Sequence, residues 1–170
     1  MLLRAICVLC VLSTSVAARA TDPWVDASIE VDAASSIRVL TELRDEQKAI
    51  LEKTLSLKQQ GRVTQLTVLE CAGPYFSAES RLAWLDGDFQ QSYESAQLAQ
   101  LAADQAVKST KALQQRGDYE VGEMQRNVER RAEYQLVVLR YQALAKQQEI
   151  ELTEVSEDRL AQALESVDGP

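Results

Sequence analysis

From about residue 27 to residue 60 apolar positions recur at intervals of three, four and seven, through Ile37, Leu40, Leu43, Ile50, Leu51 and Leu55, with no glycine or proline between. That period marks one long amphipathic helix, roughly 50 Å long at about 1.5 Å per residue. Gly61 stands where a left-handed C-terminal cap belongs, and Thr64 where the next helix would be capped. The spacing predicts a short second helix over 64–72, stopped by Gly73-Pro74 because proline cannot continue the hydrogen-bond ladder. A third helix is predicted over 77–116, with Ser77 as N-cap and Glu79 in its first turn. Its stripe is Leu82, Leu85, Phe89, Ser92, Ala96, Ala99, Ala103, Ala106, Thr110 and Leu113, alternating steps of three and four as a heptad seam does. The seam crosses Gly87 in register, which places that glycine inside the helix at a cost of about 1 kcal/mol relative to alanine.

The run Ala96, Ala99, Ala103, Ala106 lets two helix backbones approach closely, so a tight antiparallel contact is expected there. Gly117-Asp118 predicts a second turn, with Glu120 and Glu123 favouring the following helix N-terminus. The fourth helix, 119–155, carries two adjacent stripes: Ala132, Leu136, Leu139, Ala143, Ile150, and Tyr134, Val138, Tyr141, Ala145, Leu152. Two stripes imply contact with more than one neighbour. Ser156, followed by Glu157 and Asp158, opens a short amphipathic helix over 156–167 through Leu160, Ala163, Leu164 and Val167. No stretch shows the alternation of a sheet. The fold class expected is all-α, with long antiparallel helices forming a coiled-coil-like hairpin or a four-helix bundle.

The start of the chain changes the picture of where it works. Residues 1–20 combine a positive charge at Arg4, an apolar run from Ala5 to Leu12 and a small-residue tail ending Ala18, Arg19, Ala20, the three-part pattern of a secretory signal. The run is shorter than the ~20 apolar residues that span a bilayer. Ile6 and Leu9 precede Cys7 and Cys10, where a lipoprotein signal would need a small residue, so no membrane anchor is expected. The domain reading is a signal peptide at 1–20 and a single helical domain at 21–170, exported and, in a bacterium, periplasmic.

Charge then narrows the partners. The chain has 18 Lys and Arg against 26 Asp and Glu, a formal charge of −8, and loss of Arg4 and Arg19 with the signal makes the exported chain more acidic still. Nucleic acid is excluded as an expected partner, because phosphate binding needs clustered cations. Anionic membrane surfaces are disfavoured for the same reason.

Candidate chemistry is sparse. The chain has no histidine, the commonest general base and metal ligand. Cys71 is the sole cysteine after residue 20, so a thiolate zinc site and an intrachain disulfide both fail. As a candidate free thiol it is either a small buried apolar residue or the seat of an intermolecular disulfide or a capped thiol. Polar groups at helical spacing, such as Glu42 with Asp45 and Glu46, or Glu149 with Thr153 and Glu154, alternate with Lys and Arg as solvated helix faces do. No phosphate loop, G-x-S-x-G elbow or EF-hand loop occurs. The expectation is a protein that is not an enzyme, with no catalytic residue, metal or cofactor.

Lys53 to Gly61 and Lys108 to Gly117 look alike, each ending a long helix at a glycine. Residues 113–132, LQQRGDYEVGEMQRNVERRA, resemble the helix-turn-helix tip of TolC-like outer-membrane efflux proteins, and residues 61–70, GRVTQLTVLE, are similar to that family's other tip. The resemblance implies that Arg116, Tyr119 and Gly122 lie near a surface docking a periplasmic adaptor's helical hairpin. With no strands for a barrel, it implies an efflux-associated accessory rather than a pore. The expected function is helix packing with a protein partner or with a second copy, at this tip or along the Ala96, Ala99, Ala103, Ala106 seam. The alternatives are a four-helix-bundle sensor or carrier holding a small apolar ligand near Trp84, Tyr134 and Tyr141, and a chaperone-like clamp.

Overall fold

The computed structural model describes residues 33–117 and 121–168. Within them five helices follow one another: α1 (Ala33–Gln59), α2 (Gln65–Leu85), α3 (Phe89–Gln114), α4 (Val121–Gln148) and α5 (Glu157–Asp168). No strand occurs among the described residues. The all-α expectation is thereby met: the helices pack on one another, each long one beside the next in sequence. The signal-peptide reading and the start of the first helix before residue 33 lie outside the described residues.

Side-chain pairs give the directions. Between α1 and α2, Arg44 reaches Glu79 while Thr54 meets Cys71, so one partner descends as the other climbs. Between α3 and α4, Tyr93 pairs with Gln142, and Arg131 approaches Asp104. Both pairs of helices are therefore antiparallel. The fifth helix packs against α1 and α3, and its predicted stripe, Leu160, Ala163, Leu164 and Val167, is buried throughout.

Three glycines with positive φ close the long helices: Gly61 (68°), Gly87 (80°) and Gly117 (79°). At Gly61 the Arg62 amide donates to the Leu57 carbonyl, and at Gly87 the Asp88 amide donates to the Ala83 carbonyl, the six-to-one bond of a Schellman cap. Thr64 and Asp88 then open α2 and α3, each side chain accepting the amide three residues on.

Three predicted boundaries are corrected. The second helix does not stop at 72, because α2 runs through Gly73 and Pro74 to Leu85. Gly73 is there for space: a Cβ on it would sit 3.0 Å from Cε2 of Tyr134 on α4. Conversely, the third helix does not run from 77 through Gly87, because Gly87 ends α2 and α3 begins at Phe89. Leu82 and Ser92, on either side of that break, are both buried, in helices that face each other through Ser80 and Ser92. The fourth helix also ends earlier than 155. Glu149 takes a left-handed φ of 56°, and the Ile150 amide donates to the Ala145 carbonyl.

Candidate functional site

The tightest packing lies between α2 and α3. Ser80 Oγ donates to the Ser92 carbonyl at 2.7 Å, and Ser92 Oγ donates back to the Ser80 carbonyl at 2.6 Å. Hydroxyls can reach carbonyls across two helices only where small residues bring the backbones together. Ala96, Ala99, Ala103 and Ala106 continue that contact and are all buried, from 0% to 6% exposed. The close antiparallel contact expected of the alanines is present, but it lies inside the chain. As candidate partner-contact residues the four alanines are corrected: the chain's own helices cover them.

The aromatic residues proposed as a ligand site are in contact with neighbouring groups. Trp84, Phe89 and Tyr141 form a three-way cluster with ring centroids 5.5 Å apart, at the end of the bundle where α2 passes into α3. The Tyr141 hydroxyl reaches Ser92 and, at 3.3 Å, Ser80. Tyr134 lies about two turns along α4, over Gly73 and beside a hollow of about 10 Å³, no larger than one water needs. Burial pushes its hydroxyl pKa up to about 12. A roomier hollow of about 260 Å³ opens between α1 and α5, lined by Leu55, Lys58, Gln59, Leu164 and Glu165, away from all three aromatics.

Cys71 is half-buried on α2, its Sγ 3.7 Å from the Thr54 hydroxyl of α1. Among the described residues no three Cys, Asp or Glu converge to hold a metal ion. No described helix is long and apolar enough to cross a membrane. At the tip, Arg116 and Gly122 are exposed, and Tyr119 lies outside the described residues.

The fourth helix has two unlike faces. Asn127, Tyr134, Val137, Val138, Tyr141 and Ala145 are buried against the bundle. Asn127 donates to Glu70 of α2 at 2.9 Å, and Gln142 donates to the Tyr93 hydroxyl at 3.1 Å, fixing the helix about its axis. The other stripe points away. Ala132, Leu136, Leu139 and Ala143 are all exposed, Leu136 at 57% and Leu139 at 51%. Extended by one step at each end, this stripe begins at Glu129 and ends at Lys146, both exposed. Six positions in steps of three and four form an uninterrupted heptad seam.

The chain matches no family model, no curated protein and no solved structure with which it was compared.

Sequence periodicity identifies both stripes of α4 but assigns a neighbour to each. One stripe has its neighbours in α2 and α3; among the described residues the other has none. The signal that separates them lies in the polar residues. Asn127 and Gln142 can both be satisfied inward only if the Tyr134 and Tyr141 stripe faces the bundle.

Proposed function

We propose that this is an exported, non-enzymatic helical protein that acts by packing the outer face of α4 against a protein partner. The observation that carries the reading is the exposure of Leu136 and Leu139, half or more of each side chain, in the middle of a heptad seam. An apolar stripe rimmed by charge is what marks an interaction surface rather than a scattered exposed leucine. Burial of the alanine seam removes it as a partner surface; large apolar residues are also exposed on α1, at Val39 and Ile50, but Leu136 and Leu139 are the pair set one step apart in a seam whose other positions are exposed as well. The likeness of the 113–132 segment to efflux-protein tips supports placing the partner in an envelope efflux system, with Arg116 and Gly122 beside it on the exposed end of the same helical hairpin.

The test is a photo-crosslinking residue placed at Leu139 or at Arg116 in cells that export the protein. Capture of one stoichiometric protein from Leu139 is expected. Absence of any protein adduct from either position would sink the reading.

A further inference from the structure

We infer that the outer seam of α4 pairs with the same seam of a second copy, antiparallel, about a two-fold axis between Leu136 and Leu139. This rests on the reading of α4 as a protein-binding face and names its occupant.

Charge complementarity along the helix identifies that occupant. Under the two-fold, Leu136 of one chain meets Leu139 of its partner, Ala132 meets Ala143, and Glu129 meets Lys146. The apolar layers thus lie in the centre, and each end closes with opposite charges. Glu133 and Arg140 lie on one flank of the seam, seven residues apart and both exposed. In an antiparallel pair this flank faces itself, which sets Glu133 of each chain beside Arg140 of the other. Gln135, exposed and neutral, lies on the opposite flank, where it sets no like charge against its counterpart.

The parallel alternative is disfavoured by the same residues. In register it would stack Glu129 on Glu129 and Lys146 on Lys146, and like charges opposed at an interface oppose binding. Flanking charges choose partner and orientation in helix pairs, and here they choose self and antiparallel. The inward face of α4, through Tyr134, Val138 and Tyr141, is already occupied, so pairing needs no rearrangement of the bundle. A two-fold contact must be self-complementary, and this seam is.

The test is the mass of the purified chain by sedimentation equilibrium over a concentration series, with far-ultraviolet circular dichroism confirming helicity. The wild-type mass is expected to rise from one chain to two. Glu133→Arg and Arg140→Glu should each weaken association at least several-fold, and the double variant should restore it. A chain that stays single at every concentration, single variants without effect, or a double variant no better than either single overturns the inference. Photo-crosslinking from Leu136 in a mixture of isotopically light and heavy chains adds the orientation. Light-to-heavy adducts near Leu139 support the pairing, while adducts to residues 21–32 of the same chain overturn it. A monomeric chain that crosslinks instead to a different protein from Leu136 also overturns it, yet leaves α4 as a binding face. A monomer with no adduct removes both.

Discussion

Gly73 of α2 and Tyr134 of α4 meet so closely that a methyl group on the glycine would lie 3.0 Å from the tyrosine ring. The contact explains why a glycine sits in mid-helix: it makes room for an aromatic ring. Overpacking a close contact costs about 1–3 kcal/mol, whereas replacing a helical glycine by alanine gains about 1 kcal/mol. Gly73→Ala should therefore lower stability by roughly 1 kcal/mol. In a Tyr134→Leu background the same change should turn stabilising, which denaturant unfolding of the four proteins would show.

Pro74 has no amide hydrogen to contribute to α2 and costs up to about 3 kcal/mol relative to alanine in a helix interior. Pro74→Ala is expected to raise the denaturant midpoint. A lowered midpoint would mean that the proline holds a bend the bundle requires.

The break between α2 and α3 makes the opposite demand. Gly87 sits at φ 80° with nothing within 4 Å of a Cβ, so the backbone conformation alone carries the cost of substitution. Gly87→Ala should destabilise by about 1 kcal/mol. Were Gly87 inside a continuous helix, the same change would stabilise by a similar amount, and thermal unfolding separates the two.

Buried phenols give a pH dependence at the alkaline end. Burial pushes Tyr134 to about 12, and burial together with Glu79 pushes Tyr75 to about 12, against an ordinary value near 10 in the unfolded chain. Both folded-state values are raised, so the stabilisation is complete below pH 10 and is lost as pH rises from about 10 towards 12. For Tyr134 the loss amounts to roughly 2–3 kcal/mol. Urea midpoints measured across that interval should fall, less steeply in Tyr134→Phe, and the phenolate absorbance should rise together with unfolding.

Helix type and most helix faces were legible from apolar spacing, as were the turns at Gly61 and Gly117. The boundary near Gly73 was not. A glycine chosen for a ring on another helix looks the same in sequence as one chosen for a turn. Gly87 was hidden by the converse problem, since Leu82, Leu85, Phe89 and Ser92 keep heptad spacing whether their helix continues or folds back. Asp88 held the missing signal: its side chain accepts the Gln91 amide at 2.9 Å, as an N-cap does. For the candidate site, spacing revealed the stripe of Leu136 and Leu139 and the alanine seam alike. Which of them the chain covers depends on tertiary partners such as Asn127 with Glu70, which no local period encodes.

If α4 is a binding face, Leu136 and Leu139 serve association rather than the fold. The most direct measurement compares the double variant Leu136→Gln, Leu139→Gln with the wild type in thermal unfolding at a dilution where the chain is monomeric, and in sedimentation at high concentration. Exposed substitutions away from packed features change stability by no more than about 0.5 kcal/mol. An unchanged melting temperature together with loss of association is the expected result. A sharply lowered melting temperature, or association that survives both substitutions, would contradict it.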